Sequence, residues 1–129
     1  VTTHKDKIPF EAITREQVRD YAEASGDHNP IHLDPEFAKK AGLPDVIAHG
    51  MLSMGLAGLA LEKWGYSMER LRHFESKFKE KVFIGDELFA EHLDEASVKL
   101  SDTKQIKVSW HLIKADATEV LTAEALFDL

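Results

Sequence analysis

The stretch Gly50-Met51-Leu52-Ser53-Met54-Gly55-Leu56-Ala57-Gly58-Leu59-Ala60-Leu61 carries no charge, and apart from Ser53 it holds only apolar residues and glycine. Its length and its content of Leu, Met and Ala predict a helix rather than a strand. Apolar residues fall on every side of the helical wheel, so the expectation is a helix enclosed all round by other elements. It is too short to span a membrane, which needs roughly 20 apolar residues. Gly55 and Gly58 each disfavour a helix by about 1 kcal/mol relative to alanine, and close backbone approach by whatever wraps the helix would compensate.

The rest of the chain supplies candidates for the wrapping. Residues 2–10 are mixed in character and are expected to be extended. Thr14-Arg15-Glu16-Gln17 reads as a capping box opening a helix with Val18, Tyr21, Ala22 and Ser25 on one face, and Gly26 is a natural left-handed stop. Residues 27–32 are expected to form a loop, because Pro30 lacks an N–H and biases Asn29 away from helix. Asp34-Pro35 resembles an N-cap and first helical position, with Gly42 ending a short helix. After a polar turn around Pro44-Asp45 the chain enters the apolar helix, which should stop near Gly65.

The second half reads as antiparallel strands. Phe74, Phe78 and Val82 share one face of an alternating run with lysines opposite, and Gly85-Asp86 supplies a turn. Residues 88–93 make a second strand. Ile106, Val108, Trp110 and Leu112 alternate with polar residues in a third. Asp116-Ala117-Thr118 turns the chain into a fourth, residues 119–127. Helices followed by a run of strands, with no repeat or linker, predict a single α+β domain over residues 1–129 in which a curled sheet covers the apolar helix.

Composition narrows the function. A chain of 129 residues with 43% hydrophobic and 30% charged residues suits one soluble globular domain. A formal net charge of -7 excludes general binding to nucleic acid or an anionic membrane, but not an anionic small ligand held by local lysines. The absence of cysteine excludes disulfides, thiolate nucleophiles and Cys-ligated zinc. No signal peptide, lipidation motif or low-complexity tail is visible, so a cytoplasmic protein is the expectation.

The chemistry is expected in Ser25-Gly26-Asp27-His28-Asn29-Pro30-Ile31-His32. The Asp27 carboxylate and the His32 imidazole, on a proline-fixed turn, could converge on one water or substrate atom as general base and general acid. Spacing alone equally allows Asp27 and Asn29 to make turn hydrogen bonds while His32 is a satisfied, half-buried histidine. His28 and His32 would share a helix face as a zinc pair, but Pro30 between them opposes that helix and no glutamate takes the position a metalloprotease needs. No metal site is expected. Lys77, Lys79 and Lys81, and likewise Lys39-Lys40, read as solvated faces. Ser53 lacks the G-x-S-x-G surroundings of a nucleophile.

Ser25 through Asp34, followed by Ile47-Ala48-His49-Gly50-Met51-Leu52, closely resembles the MaoC-like dehydratase family and its (R)-specific enoyl-CoA hydratases. Val82-Phe83-Ile84-Gly85-Asp86 is similar to that family's strand-ending turn. Lys81 stands where related sequences often have proline. The resemblance implies a hot-dog fold, an antiparallel sheet wrapped around a long central helix. It implies Asp27 and His32 as the catalytic pair, the backbone N–H of Gly50 as oxyanion donor, and Asn29, His49 and Ser53 on the substrate-binding side, with no cofactor. The implied reaction is reversible hydration of a trans-2-enoyl-CoA to an (R)-3-hydroxyacyl-CoA. Dehydration of an acyl-carrier-protein thioester and a non-catalytic acyl-CoA-binding module are the alternatives. A hot-dog thioesterase usually carries a carboxylate on the central helix, and residues 50–61 contain none. The resemblance also implies a homodimer or a multiple of it, since an open sheet edge would otherwise remain.

Overall fold

The computed structural model describes residues 5–100 and 102–129, so residues 2–4 of the expected extended run lie outside the described residues. Within that run forms a strand of two residues, β1 (Ile8–Pro9). Helix α1 (Arg15–Ser25) opens on Thr14, whose Oγ1 accepts the Gln17 N–H at 3.0 Å. It ends at Gly26, at φ 78°, a left-handed conformation that glycine adopts without a Cβ clash. Val18 and Ala22 are buried in the core, whereas Ser25 is exposed.

The expected loop is only partly a loop. Residues Pro30–Leu33 form a single helical turn, α2, followed by α3 (Pro35–Lys40). Pro30 sits at the first helical position, where its missing N–H would have had no partner, so the residue that breaks a helix interior begins this one. The Asn29 side chain caps it, accepting the Ile31 N–H at 3.1 Å. Asp34 caps α3 in the same way through the Glu36 and Phe37 N–H groups.

Helix α4 (Gly50–Lys63) lies against a five-stranded antiparallel sheet built from β1, β2 (Leu71–Phe78), β3 (Leu88–Leu100), β4 (Thr103–Lys114) and β5 (Glu119–Asp128). The strand order is β1-β3-β4-β5-β2. This is the hot-dog arrangement. Val108, Trp110 and Leu112 of β4, and Leu121, Ala123, Ala125 and Phe127 of β5, face inward. Trp110 is fully buried, and its indole N–H donates to the Ala57 carbonyl at 3.0 Å, joining helix to sheet.

Three further expectations are corrected. First, β2 ends at Phe78, so Val82 belongs to no strand. The Lys79 and Glu80 N–H groups both turn onto the Val120 carbonyl, and the Val82 carbonyl accepts the Ala48 N–H at 2.8 Å beneath the entrance to α4. Second, β3 runs well past residue 93, through a register shift between His92 and Asp94, because its polar second half pairs with β4 through backbone bonds that hydropathy patterning does not reveal. Third, α4 is not enclosed all round. Ser53, Ala57, Ala60 and Leu61 are buried, but Met51 is 58% and Leu59 40% exposed, since the sheet covers one side only. No helix among the described residues is long and apolar enough to cross a membrane.

The two glycines of α4 differ accordingly. A Cβ at Gly58 would lie 3.2 Å from Cε2 of Phe74, the close approach the sequence suggested, whereas one at Gly55 would meet nothing within 4 Å. Phe74 in turn stacks on Trp110, with ring centroids 5.5 Å apart. Gly55→Ala should therefore stabilise the fold by about 0.5–1 kcal/mol through helix propensity. Gly58→Ala should gain measurably less, because Phe74 must give way. Urea denaturation of both variants checks this, and equal gains would show that Phe74 does not limit the position.

Candidate active site

Three segments meet at the N-terminus of α4. Gly26 turns the chain out of α1 into Asp27, whose N–H bonds to Ser25 Oγ at 3.2 Å and whose Oδ1 accepts the Asn29 N–H at 3.2 Å. The turn bonds foreseen for Asp27 and Asn29 therefore exist, yet they leave the second oxygen of Asp27 free to face His32. Asp27 Oδ2 lies 4.0 Å from His32 Nε2. That is beyond direct hydrogen-bonding distance and within the span of one bridging water.

His32, on the single turn of α2, is held by its other nitrogen. Nδ1 is 2.7 Å from the Ile47 carbonyl. A carbonyl only accepts, so Nδ1 carries the hydrogen, and a neutral His32 presents the Nε2 lone pair toward Asp27. The His32 side chain is 12% exposed and that of Asp27 54%, so one member is enclosed and the other solvated. Ile47 also donates its N–H to the Ile31 carbonyl and forms a β-bridge with Phe83. Residues 46–48 are thereby clamped between α2 and the segment after β2, just before α4 begins, while His32 itself lines a separate cavity with Arg15, Arg19 and Val46.

At Gly50 the helix begins. The His49 carbonyl accepts the Leu52 and Ser53 N–H groups, and no side chain caps the end. The N–H groups of Gly50 and Met51, at the first two helical positions, have no intrahelical acceptor and lie at the positive end of the helix dipole. Gly50 is exposed beside a cleft of about 360 Å³ whose wall includes Ser53, Phe78, Val82, Lys79 and Lys81. Ser53 is 4% exposed and meets the cleft from the buried side of α4. Lys79 and Lys81 lie beyond the end of β2, so the solvated strand face read from their spacing describes Lys77 alone. That β2 stops at Phe78 is the reason, and no local sequence signal marks it.

His49 is 2% exposed, stacked on His32 with centroids 3.8 Å apart and planes at 23°, and its Nε2–H donates to the Asp27 carbonyl at 3.0 Å. This burial leaves little surface for a substrate. His28, the other histidine of the motif, points away to Glu23 at 3.0 Å. Asp27, His32 and His49 each offer one donor atom, all within 4.8 Å of one another, a trio the sequence did not suggest as metal ligands. An imidazole lone pair lies in its ring plane, and two nearly parallel stacked rings cannot both aim at one ion about 2.1 Å away. As arranged, the three side chains do not converge on one ion.

Comparison with known proteins identifies the family. A fatty acid synthase beta subunit of Emericella nidulans is 41% identical over 73 residues, covering 55% of this chain and 4% of that protein. The peroxisomal enoyl-CoA hydratase 2 of Arabidopsis thaliana is 41% identical over 69 residues, covering 52% of this chain and 22% of that protein. The chain thus spans only a small part of these curated relatives. The solved structure of the (R)-hydratase from A. caviae involved in PHA biosynthesis superposes with a TM-score of 0.80 at 27% identity, covering 99% of this chain and 97% of that one. Residues 2–115 match the MaoC like domain, and the chain belongs to the MaoC-like dehydratase family.

Proposed function

We propose that this chain hydrates trans-2-enoyl-CoA reversibly to (R)-3-hydroxyacyl-CoA. The observation that carries the reading is the 4.0 Å separation of Asp27 Oδ2 and His32 Nε2, with His32 locked on the Ile47 carbonyl. Asp27 and His32 hold one water between them. As its oxygen bonds to Cβ of the enoyl thioester, the pair takes up one water proton, and a proton is delivered to Cα. The two groups share one proton and act as a unit. Negative charge that develops on the thioester oxygen is met by the Gly50 N–H, in a preorganised position at a helix N-terminus. Dehydration is the same path in reverse. Asn29 keeps the Asp27 loop in shape, and Ser53 contacts the acyl thioester in the cleft.

Lys79 and Lys81, on the wall of that cleft, support a thioester whose carrier bears phosphate. Acyl-CoA is the reading favoured here, and the fatty acid synthase similarity keeps an acyl-carrier-protein thioester as the second. The first turn of α4 has no acidic residue, which opposes thioesterase chemistry. The outer edge of β2 and the exposed Met51 and Leu59 of α4 support pairing with a second copy of the chain. Light scattering at micromolar concentration should give a dimer or a multiple of it, and a fully active monomer would exclude this assembly.

Asp27→Asn and His32→Ala should each lower kcat by about 10²–10⁴, with folding largely intact, followed as loss of the conjugated enoyl-thioester absorbance. The double variant should be little worse than either single one, because both groups act on the same water. Additive losses would assign them to separate steps, and an active Asp27→Asn protein would remove the assignment.

Gly50→Pro and Gly50→Ala separate the oxyanion role from bulk. Proline fits the first helical position but has no N–H, while an alanine Cβ would meet the Phe78 ring first, at 3.4 Å, an ordinary contact. Gly50→Pro should turn over about 10²–10³ more slowly than Gly50→Ala. Equal rates in two folded variants would mean that another group receives the charge.

A further inference from the structure

We infer that His49 is a positioning residue that sets the geometry of Asp27 and His32, an inference that rests on the hydratase reading above. His49 stands at the N-cap of α4, where Ser, Thr, Asp or Asn commonly bonds to the early helical N–H groups. Its ring makes no such bond. It points back instead into the junction of the three segments that build the site. Its Nε2–H holds the Asp27 carbonyl at 3.0 Å, one face of the ring covers His32 at 3.8 Å, and Tyr21 of α1 packs on it at 4.9 Å.

These contacts act on both members of the pair. The bond to the Asp27 carbonyl fixes the backbone that carries the carboxylate. The stack fixes the His32 ring from its face, while the Ile47 carbonyl fixes it from its edge. His32 cannot turn about its ring axis without breaking both. Two side chains that share one water depend strongly on such alignment, since a displacement of about 1 Å can lower a rate about 100-fold. His49 is 2% exposed and has no place on the cleft wall, so its influence passes through its neighbours. Because a carbonyl only accepts, Nε2 is the protonated nitrogen of neutral His49. Its Nδ1 is buried without a partner among the described residues, so the ring is kept for the contacts on its other side and its faces.

Two substitutions and one measurement on the unaltered protein test this. His49→Leu fills the space without the donor, and His49→Gln restores an N–H near the Nε2 position. In folded protein, His49→Leu should lower kcat about 100-fold with KM changed less than about twofold, and His49→Gln should recover about tenfold of that loss. A raised KM with unchanged kcat would make His49 a substrate contact and overturn the proposal. So would wild-type kcat in His49→Leu, or a His49→Gln variant no better than it. Nitrogen-15 NMR of the wild-type protein should find neutral His49 protonated at Nε2 and neutral His32 at Nδ1, and the opposite tautomer at either would overturn the proposal without any variant. That measurement needs no turnover. If the wild-type protein shows these tautomers but hydrates no enoyl-CoA, the hydratase reading fails and the positioning geometry stands.

Discussion

The hydrogen bond from His32 Nδ1 to the Ile47 carbonyl, at 2.7 Å, is the contact on which the site depends. It selects the tautomer of His32 and so decides which nitrogen faces Asp27. It also requires that residues 46–48 lie beside α2, which their own backbone bonds to Ile31 and Val82 enforce. Those same residues lead directly into Gly50. One backbone segment therefore holds the imidazole and runs on into His49, whose ring holds the Asp27 carbonyl, and the start of α4. A neutral hydrogen bond contributes only about 1 kcal/mol to stability, so its importance is geometric.

Helix α4 is the platform that makes the alignment rigid. Trp110 anchors its middle through the Ala57 carbonyl, and Phe74 presses on Gly58. Its far end is tied as well. The Trp64 indole N–H donates to the Asp6 carbonyl at 2.7 Å, and the Tyr66 hydroxyl donates to Glu95 at 2.9 Å while resting 2.9 Å from His92 Nε2. Burial, and then the bond to Glu95, push the Tyr66 phenol well above its ordinary value. The N-terminus, by contrast, is left without a side-chain cap. The helix is thus held in its middle and at its C-terminal end, while the Gly50 and Met51 N–H groups at its start have no intrahelical acceptor and lie at the positive end of its dipole.

Much of the molecule is legible in its sequence. The Thr14 cap, the left-handed Gly26, the Asp34-Pro35 start and the alternation of Val108, Trp110 and Leu112 are local signals, each carried by residues that are neighbours in the chain. The motif around Asp27 and His32 is legible through its resemblance to the MaoC-like family, since spacing alone equally allows plain turn bonds. The errors were local too. Pro30 resembles a helix breaker yet starts a helix, and Val82 fits a strand by hydropathy although it lies beyond β2 and its carbonyl accepts the Ala48 N–H before α4.

The sequence by itself determined most of the elements, the apolar helix at their centre, and the family motif that carries Asp27 and His32. Short-range sterics, capping and side-chain periodicity act within a few residues, and they suffice for those elements. Only the tertiary structure decided that one side of α4 is open, that Lys79 and Lys81 leave the strand for the cleft, and that His49 lies under His32. These depend on where a sheet ends and which distant carbonyl a side chain meets. Contacts between residues far apart in the chain have no local signature, so they become visible only once the chain has closed on itself.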